Sequence, residues 1–225
     1  MRIAAYIANG KSGIGIVEGA ASDGFIHPIA GPPRGIRDIL NIGPDALAGL
    51  AAQAGEVAPV PIGSVTLQAP IPRPGKVLAI GLNYKAHVEE TGREVSPHQI
   101  WFNKQCTCIT GPQGVIDKPV ASDMVDYEGE LVVVIGRQCR HVPAARAHEV
   151  IAGYMVGNDV SVRDWQRRTP TMQMGKSFDT HGPTGPWLVT ADEITKPQAL
   201  QIKTFVNDDL RQHASTGEMI HSIAD

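Results

Sequence analysis

Hydrophobic positions alternate with polar or small ones at the start of the chain, as they do on a half-buried strand. Met1–Ala8 and Gly13–Glu18 read as a hairpin around Asn9-Gly10-Lys11-Ser12, with Gly24–Pro28 as a third strand. The pattern then changes period. Arg37–Asn41 and Asp45–Ala54 read as short helices, the second capped by Asp45 after Pro44 and stopped at Gly55. Ala69-Pro70-Ile71-Pro72-Arg73-Pro74-Gly75 cannot be an interior helix or strand, because its prolines lack the N–H that either ladder needs, and it reads as a linker. Residues 1–72 are therefore expected to form a small N-terminal α+β domain, and residues 73–225 a second unit.

The second unit opens on a strand, Lys76–Ile80, and a loop that enters a short helix near Asn83–Glu90. Ile100-Trp101-Phe102 and Cys108-Ile109-Thr110 are strand-like, and Cys106 and Cys108, in a Cys-x-Cys, lie on one face of a strand-like segment. Two apolar runs, Leu131–Ile135 and Val150–Val156, read as buried strands, and Val160–Arg168 as a helix. Pro186–Val189 is a further strand, Gln201–Val206 and Arg211–Ala214 a hairpin, and Thr216–His221 the start of a last helix.

Composition narrows the class. With 24 glycines and 17 prolines in 225 residues and few aromatics, the chain favours a β-rich, loop-rich scaffold over a helical bundle. A net charge of −3 without a basic cluster argues against a nucleic-acid surface. No apolar stretch is long enough to span a bilayer, and the N-terminus lacks the regions of a signal peptide. The three cysteines, Cys106, Cys108 and Cys139, fit reduced thiols better than a metal cage, so a cytoplasmic location is expected. Gly10-x-x-Gly13-x-Gly15 lacks the strand–turn–helix context of a nucleotide loop and belongs to the hairpin.

The chemistry concentrates around Asp126-Tyr127-Glu128-Gly129-Glu130. Glu128 and Glu130 lead into a buried strand and point the same way, so they repel each other and lose solvation unless a positive charge lies between them. Alone, Glu-x-Glu is more often a solvated strand edge. Asp159, just past the Val150–Val156 run, is a third carboxylate of the same kind, and a hard divalent cation with oxygen ligands is the natural occupant. His87 and Glu90 share one face of the short helix, where a carboxylate can orient an imidazole and raise its basicity. Arg163 and Gln166 share a face above the carboxylates if Val160–Arg168 is helical, and Gly175-Lys176-Ser177-Phe178-Asp179 is a compact loop with a lysine near an aromatic. The polar segment 88–97 is short of apolar anchors and reads as a mobile lid.

Four segments together resemble the fumarylacetoacetate hydrolase superfamily, in that family's order: Gly81–His87, Asp126–Leu131, Gly157–Asp164 and Gly175–Asp179. The resemblance covers residues 73–225 and implies a β-rich α+β fold, a mixed β-roll and β-barrel catalytic domain behind the small N-terminal one. It implies Glu128, Glu130 and Asp159 as ligands of Mg²⁺, or of Mn²⁺ or Ca²⁺, and Arg163, Gln166 and Lys176 as substrate contacts. His87 matches the family's histidine, and Glu90 matches the glutamate of the branch with acylpyruvases and oxaloacetate decarboxylases. The implied activity is C–C bond hydrolysis of a small 1,3-diketo acid by a homodimer, with His87, Glu90 and Lys176 catalytic. Decarboxylation, hydration of a 2-keto-4-enoate or isomerisation would use the same platform. An inactive metal-binding homologue and a thiol enzyme using Cys106 are the other readings. Two departures stand out. Ile80 occupies the position where some members carry a fourth carboxylate, and the chain stops before the family's distal Thr-Gly-Thr-Pro loop, which implies truncation and an incomplete barrel.

Overall fold

The computed structural model describes residues 1–31, 35–42 and 44–225. The chain begins with β1 (Arg2–Ala8), β2 (Lys11–Glu18) and β3 (Phe25–Pro28), joined as antiparallel neighbours, with Asn9 and Gly10 turning the first hairpin. Two helices follow, α1 (Ile36–Ile42) and α2 (Pro44–Gln53), then β4 (Val60–Pro61) and β5 (Thr66–Gln68). The cap expected at Asp45 concerns a side chain outside the described residues.

Next come β6 (Val77–Gly81), α3 (Lys85–Thr91), β7 (Ile100–Lys104), β8 (Ile109–Thr110) and β9 (Val125–Asp126). The remainder is β10 (Gly129–Ile135), β11 (Ile151–Asn158), β12 (Ser161–Val162), α4 (Arg163–Gln166), β13 (Gly182–Thr190), β14 (Gln201–Val206) and β15 (Asp209–Ser215). The architecture is the β-rich α+β expected. No helix among the described residues is long and apolar enough to cross a membrane.

The largest sheet runs β10-β11-β13-β1-β2-β3-β4, with β5 also on β1 and β8 parallel to β13. β1 is its seam: Ile3 lies opposite both Ile16 of β2 and Leu188 of β13. Alternation along β1 feeds two cores. Ile3 joins Ile36, Ile39, Leu40, Leu47 and Leu50 of the helices and Val134, Met155 and Leu188 of the later strands. Ala4 and Tyr6 face the other way, toward Val17, Ile26, Ile62 and Leu67. The proline-rich connection is part of this packing: Ala69, Pro70 and Ile71 are buried, and Arg37 Nη1 donates to the Arg73 carbonyl at 2.6 Å.

Three expected elements differ. Cys106–Cys108 is a 3₁₀ turn, closed by Cys108 N–H to Gln105 O at 3.0 Å, and the strand begins only at Ile109. The Val160–Arg168 helix shrinks to the single turn α4, because Ser161 and Val162 pair with Asp126 and Val125 instead. The last helix is one 3₁₀ turn, Thr216–Glu218. Ile220 N–H is drawn away to the Asn83 carbonyl at 2.7 Å, beside a bridge between Tyr84 and Met219.

Candidate active site

Strand pairing assembles the carboxylates. Antiparallel β10 and β11 set Gly129 opposite Asn158 and Glu130 opposite Gly157, and Asp159 N–H donates to the Glu128 carbonyl at 2.8 Å. Asn158 Oδ1 accepts from Glu128 N–H at 3.0 Å. The short pairing of β9 with β12 then brings Asp126 level with Ser161, two residues before Arg163, whose N–H binds Met124 O at 2.8 Å. Gly129, between the two glutamates, is clamped from above by Gln212 of β15, which accepts from its N–H at 2.9 Å and donates to its carbonyl at 2.8 Å. A Cβ at Gly129 would lie 2.3 Å from Thr204 Oγ1, so only glycine lets the β14–β15 hairpin cross there.

Cations fill much of the space between these acids. Lys176 is 1% exposed, and its Nζ donates to Glu128 Oε2 at 2.5 Å and to Asp159 Oδ2 at 2.8 Å. Arg163 donates to Asp126 Oδ2 at 2.8 Å, Glu128 Oε1 at 2.5 Å and Gln166 Oε1 at 3.0 Å. Burial works against the Arg163 charge, but Glu128 and Asp126 outweigh it and raise its pKa. Six of the expected residues, Glu128, Glu130, Asp159, Arg163, Gln166 and Lys176, thus meet in one cluster. The reason differs for Arg163: it reaches the acids from the first turn after β12, not from a long helix shared with Asp159.

Glu130 is the exception among the acids. Among the described residues its carboxylate accepts no hydrogen bond, and burial together with Glu128 and Asp159 pushes its pKa up to about 8 against the pull of Lys176. The Tyr84 hydroxyl is buried without a partner among the described residues, and burial, Glu130 and Glu218 raise its pKa. As the side chains stand, no three His, Cys, Asp or Glu groups among the described residues enclose a cation, and Lys176 bridges Glu128 and Asp159 instead. The donor set nevertheless fits a hard cation: it is all oxygen, and Glu130 is a half-buried carboxylate that makes no ion pair among the described residues.

His87 and Glu90 sit together on α3, Nδ1 to Oε2 at 3.6 Å, and both are exposed. Their pairing leaves the other ring nitrogen facing away from Glu90. No hydrogen bond joins them to the carboxylate cluster among the described residues. Asn83 ties this helix entrance to the chain's end, donating to His221 O at 3.0 Å and accepting from His221 N–H at 2.9 Å. The expected lid is partly fixed. α3 runs to Thr91, Gly92 ends it in the left-handed conformation, and buried Val88 is an apolar anchor, so only 93–97 is irregular.

Two members of the cluster carried no sequence signal of their own. Asp126 was visible only as the first letter of the acidic segment. Lys104, at the end of β7, donates to Asp159 Oδ1 at 2.7 Å across a separation of 55 residues.

The chain belongs to the fumarylacetoacetate hydrolase family: the profile of the fumarylacetoacetate (FAA) hydrolase C-terminal domain matches residues 76–225. A fumarylacetoacetate hydrolase domain-containing protein 2 homolog from Dictyostelium discoideum is 44% identical over 174 residues, which is 73% of this chain and 57% of that protein. The chain thus spans little more than half the length of that relative. Maleylpyruvate hydrolase from Sphingobium, solved with manganese(II) ion and pyruvate, superposes with a TM-score of 0.81 at 29% identity over 100% of this chain and 80% of that one. A 2-hydroxyhepta-2,4-diene-1,7-dioate isomerase from Mycobacterium marinum gives 0.80 at 32% identity, covering 100% and 78%. Hydrolases and isomerases therefore share this fold, and a divalent metal accompanies it in one of them.

Proposed function

We propose that this chain hydrolyses a C–C bond in a small 1,3-diketo acid of the acylpyruvate type, using Mg²⁺ or Mn²⁺ held by Glu128, Glu130 and Asp159. The observation that carries this reading is Glu130, a half-buried carboxylate beside Glu128 and Asp159 that makes no ion pair among the described residues. When bound there, the ion supplies Lewis acidity, polarising the substrate's keto oxygens and lowering the energy of the enolate left by C–C cleavage. His87 takes a proton from water through the ring nitrogen turned away from Glu90, and Glu90 holds the imidazole and offsets its charge. That water adds to the distal carbonyl. The C–C bond breaks with its electron pair passing to the pyruvate side, which is then protonated, giving a carboxylic acid and pyruvate. Lys176, Arg163 and Gln166 bind and orient the substrate's oxygens, and the two cations offset the developing negative charge.

A second reading, double-bond isomerisation, is supported by the similarity to the Mycobacterium marinum isomerase. It needs proton transfer and no water. The test is a panel of acylpyruvates, oxaloacetate and 2-hydroxy-dienedioates, incubated with Mn²⁺ and followed by ultraviolet absorbance with product analysis. Pyruvate and a carboxylic acid in equal amounts support hydrolysis. Unchanged carbon skeletons favour the isomerase, CO₂ from oxaloacetate a decarboxylase, and no turnover an inactive homologue. In this reading the partners are the keto acid and a second copy of the chain.

A further inference from the structure

We propose that Lys104 is a positioning residue for Asp159, setting which carboxylate oxygen faces the centre; this rests on the reading of Asp159 as a metal ligand. Lys104 is 5% exposed at the end of β7, the strand whose Phe102 ring lies 5.0 Å from Lys176 Nζ. Its ammonium has three protons and three acceptors: Asp159 Oδ1 at 2.7 Å, the Val160 carbonyl at 3.4 Å, and the carbonyl of Lys176. No proton remains for a substrate, so the group acts through its neighbours. It divides the Asp159 carboxylate, since Oδ1 is held by Lys104 and Oδ2 is turned to the side of Lys176 and Glu128. Through two backbone carbonyls it also fixes the corner after Asp159 and the turn that carries Lys176. Three chain segments far apart in sequence are thus set in register by one buried ammonium.

Positioning and simple electrostatics predict opposite signs. A positive charge 2.7 Å from Asp159 repels an incoming cation, so by charge alone its removal tightens metal binding. If Lys104 acts by positioning, its removal loosens binding despite the more negative site, because Oδ2 of Asp159 loses its fixed direction toward Lys176 and Glu128.

The experiment titrates Mn²⁺ into EDTA-treated, dialysed protein, wild type and Lys104→Met, and reads free Mn²⁺ by electron paramagnetic resonance well below the unfolding temperature of each. We expect the Mn²⁺ Kd of Lys104→Met to rise at least tenfold. An equal or tighter Kd, with or without a lower apo unfolding temperature, would overturn the proposal and leave Lys104 a structural residue. If the methionine variant does not fold, Lys104→Gln, which keeps a donor for the carbonyls, carries the same test, and failure of both to fold also overturns it. Wild-type protein that binds no Mn²⁺ at millimolar concentration would instead overturn the reading of the centre, and the positioning role with it.

Discussion

Replacing Glu130 by Gln should stabilise the metal-free protein at neutral pH, the opposite of what loss of a structural carboxylate does. In the folded chain the Glu130 carboxyl holds its proton up to about pH 8, against an ordinary value near 4.5. An acid whose folded pKa is raised binds its proton more tightly when folded. Its contribution is therefore fully present below pH 4.5 and is lost as pH rises through about 8. Across that window the loss is about 5 kcal/mol, taking 1.36 kcal/mol per pKa unit over the interval from 4.5 to about 8. At pH 7 about 3 kcal/mol of it is already gone by the same linkage relation. Glutamine keeps the shape of the protonated acid and cannot ionise, so the variant does not incur this loss. For a chain of this size that difference corresponds to roughly 6–12 °C in unfolding temperature.

The assay is thermal or urea unfolding of both proteins in EDTA from pH 4 to 9, reading the difference between them, so that titrating groups not coupled to Glu130 cancel. The two should coincide near pH 4 and diverge toward pH 8, with Glu130→Gln the more stable. Adding Mn²⁺ at pH 7 should then reverse the order: at one thousand times Kd a bound ligand stabilises by about 4.1 kcal/mol, more than the deficit of about 3 kcal/mol, and only the wild type keeps the full ligand set. Parallel pH profiles in EDTA would refute the uncompensated state of Glu130. Equal stabilisation of both proteins by Mn²⁺ would refute its place among the ligands.

His87→Ala should lower kcat by two to four orders of magnitude, roughly the scale of a lost general base, while Mn²⁺ affinity stays within twofold; joint loss of metal would make His87 a ligand. Gly129→Ala should destabilise by about 1–3 kcal/mol, since its Cβ meets Thr204 Oγ1, and Thr204→Ala should recover part of that in a double-mutant cycle. Hydrogen exchange in the exposed segment 93–97 should slow when oxalate and Mn²⁺ are added, whereas 88–91 in α3 should change little. Equal exchange with and without oxalate throughout 93–97 would make the segment a fixed wall.

The carboxylates were legible in the sequence because each sits where a strand begins or ends. Period-2 alternation gave Glu128 and Glu130 a common direction, and the apolar run of β11 ended just before Asp159. Such information is local, so pattern reading recovers it. Val160–Arg168 failed for the complementary reason: a helical spacing was real, but Ser161 and Val162 had partners in β9, and long-range pairing overrode local preference. The Thr216–His221 helix failed in the same way, its backbone donor taken by Asn83, more than a hundred residues earlier. Likewise the prolines of 69–75 rule out regular structure but say nothing about burial, and Ala69 and Ile71 are in the core.

Lys104 was invisible because nothing near it in sequence needs a cation; its counter-charge lies 55 residues away. Burial explains why such a lysine must be paired, and the pairing explains what the acidic cluster lacks. Asp126, Glu128, Glu130 and Asp159 supply four carboxylates, while Lys104, Arg163 and Lys176 supply three cations, so 4 − 3 leaves one acid over. The excess falls on Glu130, the one that accepts no hydrogen bond among the described residues, and there it takes the form of a retained proton. A half-buried cluster with one acid too many has two ways to reach balance: hold that proton, or exchange it for a positive ion. The same deficit therefore sets the pH at which a cation can enter, and metal affinity should rise steeply as pH passes from 6 to 8. Pairing each carboxylate internally would have made a sturdier fold and left no reason for a cation to bind.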